Sequence, residues 1–128
     1  MHRLALLLLL AVIASCSSTG KIDSDEVEYQ RLVAYDRALL NTCATDYAHE
    51  HRGSILTGTE LTEAALSNCV SDIVQIRTLT EKWLVAEDIV GPAGEQREQL
   101  EMEISLSSAR GACLRALAEA PAANTRPK

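Results

Sequence analysis

Four cysteines, Cys16, Cys43, Cys69 and Cys113, carry most of the chemistry open to this chain. A thiol can be acylated, paired in a disulfide, or held as a thiolate on a soft metal. Other candidates are sparse. His49 and His51 lie two residues apart, and on a helix residues at that spacing do not share a face. They read as cationic or polar groups at a helix C-terminus rather than as a pair of ligands. Glu95, Glu98, Glu101 and Glu103 could be taken for an acid–base set, but carboxylates crowding the first turns of a helix are what its dipole favours. No Ser/His/Asp or Cys/His arrangement is supported by the spacing, and no Gly-rich phosphate loop occurs. Trp83 reads as core. The expectation is a chain with no catalytic residue, no cofactor and no resident metal.

The compartment decides which thiol chemistry applies. Met1-His2-Arg3 is a short basic start, Leu4 to Ile13 is an unbroken apolar run, and Ala14 and Ser15 are small. That is the architecture of a secretory signal peptide. The apolar run has ten residues, short of the ~20 that a membrane-spanning helix needs. The tetrad Ile13-Ala14-Ser15-Cys16 resembles the bacterial lipobox. The resemblance covers the first sixteen residues only. It implies that residues 1–15 are cleaved, that the Cys16 thiol is diacylated, and that the new amino terminus is acylated too. Each buried methylene is worth ~0.8 kcal/mol, so two or more chains, palmitate among them, hold firmly where one does not. Ser17 follows the cysteine where an Asp would imply retention in the inner membrane. In a host with two membranes, the resemblance therefore implies an outer-membrane anchor facing the periplasm. Residues 16–23, small and polar with Gly20 among them, read as a flexible lipidated tether.

Composition narrows the rest. The chain has 128 residues and a formal net charge of −6. Without residues 1–15 it keeps 113 residues, and loss of Arg3 leaves 11 basic against 18 acidic side chains, a net charge of −7. One domain is the natural count. Nucleic acid rewards clustered Lys and Arg, so no nucleic-acid partner is expected. No basic patch reinforces contact with anionic lipid, and anchoring falls to the acyl chains. With no Phe, one Trp and three Tyr, the core must be aliphatic and rich in alanine, which suits helices better than sheet.

Hydrophobic periodicity predicts an all-α, up-down-up three-helix bundle with helices over about 24–52, 60–90 and 93–120, followed by a disordered tail, 121–128. Asp23 and Glu26 resemble a capping box opening the first helix. Leu32, Tyr35, Leu39, Cys43 and Tyr47 recur at helical spacing as its buried stripe, widened by Val33 and Leu40. Gly53 ends it. Thr59 is the expected cap of the second helix. That helix buries Leu61, Ala65, Cys69, Ile73, Ile76, Leu79 and Trp83, with Val70, Val74 and Leu84 beside them, and stops at Gly91-Pro92. A tight turn over Gly91 to Gly94 leads to the third. Its stripe is Leu106, Ala109, Cys113, Ala116 and Leu117, flanked by Leu100, Met102, Ile104 and Leu114.

In an antiparallel hairpin, residues equidistant from the turn are level. Cys43 is nine residues before Arg52 and Cys69 nine after Glu60; Cys69 is 21 before Val90 and Cys113 20 after Ala93. All three thiols are therefore expected in one layer. In the oxidising space implied by an export signal a disulfide persists. The first choice is Cys43–Cys69, across the simplest hairpin, with Cys113 a buried free thiol. Cys69–Cys113 and Cys43–Cys113 stay open, since spacing alone does not fix connectivity. A trigonal thiolate site for a soft metal such as Cu(I) is the sharper alternative.

Two further resemblances bear on function. The spacing of Cys43 and Cys69, with Glu60-Leu61-Thr62-Glu63-Ala64-Ala65-Leu66 leading into the second, is similar to small exported proteobacterial helical proteins of unassigned function. It covers roughly residues 39–75 and implies no activity. Lys128 resembles the C-terminal lysine through which the murein lipoprotein of enterobacteria is joined to peptidoglycan, although Pro127 and the lack of continuous heptads depart from that pattern. The reading that follows is a non-enzymatic envelope lipoprotein that binds another envelope protein as adaptor, assembly factor or pilotin-like chaperone. Its alternatives are a redox or soft-metal protein using Cys43, Cys69 and Cys113, and a membrane-to-wall tether through Lys128.

Overall fold

A computed structural model describes residues 24–119, the Ser24 side chain excepted. The expected signal peptide, Cys16, the tether, the Asp23 cap, the tail and Lys128 lie outside the described residues. Within them the chain is all-α, as expected, with four helices and no strand: α1 (Ser24–Glu50), α2 (Gly58–Asn68), α3 (Val70–Ala86) and α4 (Gly91–Ala118). None of these is long and apolar enough to cross a membrane.

The expected second helix is therefore two. Cys69 lies between them at φ −94°, ψ 23°, away from helical backbone values. Its N–H still reaches Ala65 O (3.0 Å), and its carbonyl accepts from Asp72 and Ile73 N–H (3.1 and 3.3 Å). The break is a bend with its backbone groups satisfied.

The α2 cap is Thr57, not Thr59. Thr57 Oγ1 accepts from Glu60 N–H (3.3 Å) while Glu60 Oε2 accepts from Thr57 N–H (2.8 Å), a reciprocal capping box. The other end of the predicted helix also moves, from 90 back to Ala86. There Asp88 takes a left-handed φ of 56°. Ile89 N–H donates to Leu84 O (2.9 Å) and Asp88 N–H to Val85 O (3.2 Å), the two bonds of a Schellman stop. Gly91-Pro92 does not end α3. It opens α4, where the missing N–H of proline costs nothing. Gly94 is then a buried residue of the first turns of α4, not part of a loop. A Cβ there would lie 2.6 Å from the Ile89 carbonyl oxygen, so only glycine allows this approach.

Contacts across the helices give their directions. Arg37 meets Glu101 and Ser105, and Asn41 meets Ser108, so α1 and α4 run parallel. Tyr29 meets Thr80 and Cys43 meets Cys69, so α3 runs antiparallel to α1; Gly58 lies by Leu114 and Glu63 meets Arg110, so α2 runs antiparallel to α4.

The core of α1 is turned from the expected stripe. Tyr29, Val33, Leu40, Ala44 and Ala48 are buried, whereas Tyr35 and Leu39 are 62% and 42% exposed. One residue is ~100° of helix, so a one-position shift moves the whole face. Large apolar side chains suggest a core stripe in a sequence, but helices that approach closely bury small ones. Ala44, Ala48, Ala65, Ala109 and Ala116 are all fully or almost fully buried in one cluster with Leu40, Ile76, Cys69 and Cys113. The same effect exposes Val70 and Val74 on α3 and Leu100, Ile104 and Leu114 on α4. A second cluster, Tyr29, Val33, Trp83 and Leu84, fills the other end.

Candidate functional site

Cys43 on α1 and Cys69 at the α2–α3 bend form a disulfide, with Cα atoms 6.0 Å apart. The expected pair is the one formed. Cys43 and Cys69 are level, as expected, although the helix ends from which that level was counted lie elsewhere. Cys43 stands 7 residues before Glu50, whereas Cys69 stands 11 after Gly58. The connection between them is a loop of residues 51–57, and the chain bends at Cys69 itself.

Cys113 is buried and free. It does not join the other two thiols in a layer. Its Sγ lies 3.7 Å from Thr62 Oγ1, and Thr62 precedes Cys69 by seven residues, ~10 Å along a helix. The Thr62 hydroxyl donates to Gly58 O (2.6 Å), which leaves its oxygen to accept from the thiol. With Cys43 and Cys69 bonded, a three-thiolate set keeps one thiolate, and among the described residues no group of three or more His, Cys, Asp and Glu is placed to hold a metal ion.

The remaining candidates diverge as their spacing requires. His49 Nε2 faces Glu119 Oε2 (3.3 Å), whereas His51 stacks on Tyr47 with ring centroids 3.9 Å apart. Glu98 pairs with Arg77 (3.3 Å). Glu101 departs from the expected solvated run: it is buried against the Arg37 guanidinium, whose Nε also donates to Ser105 Oγ (3.3 Å). The signal for this pair was present but weak. Arg37 sits at core spacing between Val33 and Leu40, and Glu101 stands on the stripe of Ser105, Ala109 and Ala112.

Trp83 is core, as expected. Its indole stacks on Tyr29 at 4.3 Å, and the Arg97 guanidinium lies 5.6 Å from the ring centroid. Tyr29 Oη shares a hydrogen bond with Thr80 Oγ1 (3.1 Å). Burial raises the Tyr29 phenol above its usual range, and that hydrogen bond opposes the shift.

The same two helices leave an open groove of about 230 Å³ beside this stack, lined by Tyr29, Leu32, Leu79 and Trp83 with Asp25, Glu28 and Lys82 around them. Farther along, Asp36 on α1 lies near Asp72 on α3. Burial first, and then the Asp72 charge, push the Asp36 carboxyl above its ordinary range. Two larger hollows, of about 520 and 490 Å³, lie on the outward face of α4, around Leu100, Glu103 and Ile104.

The fold and its one cross-link define an all-helical domain stapled by a disulfide. No protein-family model matches the chain, and neither the curated proteins nor the solved structures hold a similar one.

Proposed function

We propose that this chain is a lipid-anchored, non-enzymatic protein of the bacterial envelope, facing the periplasm from the outer membrane, whose helical domain binds another envelope protein as adaptor, assembly factor or pilotin-like chaperone. The observation that carries the reading is Ile13-Ala14-Ser15-Cys16 at the end of the apolar run Leu4 to Ile13. The Cys43–Cys69 disulfide supports it, because such bonds persist in exported proteins and are rare in reducing compartments. So do large apolar side chains exposed on neighbouring turns of one helix, Tyr35 with Leu39 and Leu100 with Ile104, which a binding domain can use.

Fatty-acid labelling and membrane fractionation of the wild-type and Cys16→Ser chains test the anchor. Wild type takes up label and sediments with membranes; the variant does neither. An unlabelled wild-type chain in the soluble fraction overturns the anchor. Mild cross-linking in the native envelope tests the binding role, and repeated purification without a specific protein companion overturns it.

A further inference from the structure

Ion pairs between helices are unevenly spread. Arg37–Glu101 joins α1 to α4, Arg77–Glu98 joins α3 to α4, and Arg110–Glu63 joins α2 to α4. Among the described residues no ion pair joins α1 to α3. The register set by the Tyr29–Thr80 and Cys43–Cys69 contacts puts Asp36 on α1 level with Asp72 on α3; both are half-buried, and among the described residues neither is in an ion pair. The Asp72 charge adds to burial in disfavouring the ionised Asp36, and a cation seated between them would offset that.

These acids flank an apolar strip. Leu32 and Leu79 line the groove between α1 and α3. Tyr35 and Leu39 follow Leu32 at three and seven residues, so they continue that strip along α1, and both are exposed. A strip of this kind can receive the apolar face of a helix laid along it. The apolar strip alone would accept any apolar surface; the paired acids select a cationic one. At the far end, Lys82 sits with Asp25 and Glu28, and Glu28 is already paired with Arg31.

We propose that the seam between α1 and α3 is a docking surface for a cationic amphipathic helix of a protein partner. Leu32, Tyr35, Leu39 and Leu79 take its apolar side chains, and Asp36 and Asp72 take its Lys or Arg side chains. This deepens the adaptor reading and rests on it.

Trp83, the only tryptophan of the chain, lines the groove and reports its occupation. The full detergent-solubilised chain is titrated with a tryptophan-free amphipathic peptide of Leu and Lys and with its Leu and Glu counterpart, while Trp83 emission is followed. The Lys peptide shifts emission saturably and the Glu peptide does not. Joint Asp36→Asn and Asp72→Asn substitution weakens binding at least tenfold, as does Leu39→Ser. Leu100→Ser, on the outward face of α4, leaves it unchanged. No response to the Lys peptide, equal response to both peptides, or equal loss in Leu100→Ser overturns the surface. A Leu39→Ser chain that keeps its cross-linked partner in the envelope also overturns this surface and leaves the adaptor reading standing. Saturable Lys-peptide binding by a wild-type chain that has no partner in the envelope supports the surface and overturns the adaptor reading.

Discussion

The seams on the two sides of α1 are built from different forces. Toward α4, α1 is held by polar groups: Arg37 to Glu101 and Ser105, Asn41 to Ser108, His49 to Glu119, and Arg52 to the Ala116 carbonyl. Toward α2 and α3 it is held by the disulfide, the Tyr29–Trp83 stack and the Tyr29–Thr80 hydrogen bond. The first seam pairs its charges within itself. The second is stapled and stacked, and it leaves its charges, Asp36 and Asp72, without a counterion. A seam secured by covalent and aromatic contacts can carry unpaired charge, because its stability does not depend on that charge. This is why the α1–α3 side, rather than the α1–α4 side, suits a partner.

Removing the stack should have the largest effect. Trp83 is 9% exposed, and truncating a buried Trp to Ala costs about 3–5 kcal/mol. Trp83→Phe should recover most of it, since the ring stack and not the indole N–H holds the seam; that N–H has no partner. Urea unfolding of both variants measures this. Comparable losses in both would mean that ring stacking contributes little.

Opening the staple comes next. Joint Cys43→Ser and Cys69→Ser substitution releases a loop spanning 26 residues, worth about 3 kcal/mol on the chain-entropy model. The midpoint of unfolding should fall and match that of reduced wild type. A large residual effect of reductant on the double variant would place a redox-active bond elsewhere.

On the other seam, Glu101→Gln exchanges a charge-assisted contact with Arg37 for a neutral one, a loss of about 1–3 kcal/mol. Unlike loss of the staple, it should leave the response to reductant unchanged in the same unfolding experiment.

The smallest effect should have the opposite sign. Asp36 titrates higher in the folded chain than in the unfolded one, so the folded state holds the proton more tightly. Stability linked to Asp36 is therefore full below the ordinary Asp range and falls as pH rises through the folded value. Asp36→Asn should stabilise the domain modestly at neutral pH, with the gain vanishing at acid pH. A destabilised variant at neutral pH would mean that Asp36 has a counterion after all.

Legibility in the sequence followed the strength of local chemistry. Alanine and leucine content, the helical periodicity and the stop at Gly53 gave the all-helical class and the end of α1 within two residues. The stop of α3 was hidden, because the left-handed position of its Schellman motif is held by Asp88, where glycine would have marked it. The Gly91-Pro92 pair looked like that stop and proved to be the next start. The bend at Cys69 has no Gly or Pro to mark it; it falls at the half-cystine bonded to Cys43. The core face of α1 was misplaced because Tyr35 and Leu39 outweigh Ala44 and Ala48 in any hydrophobic count, while close helix approach selects the alanines. Of the candidate site, the disulfide pair was legible from the cysteines. The Asp36–Asp72 juxtaposition was not, since it needs the observed rotation of α1 against α3.

The most direct measurement is site-specific photocross-linking in the native envelope, with the photoreactive residue placed at Leu39 in one chain and at Ile104 in another. The account predicts one dominant envelope-protein adduct from position 39 and none from 104. An adduct from 104 alone would contradict it, and would move the partner to the outward face of α4.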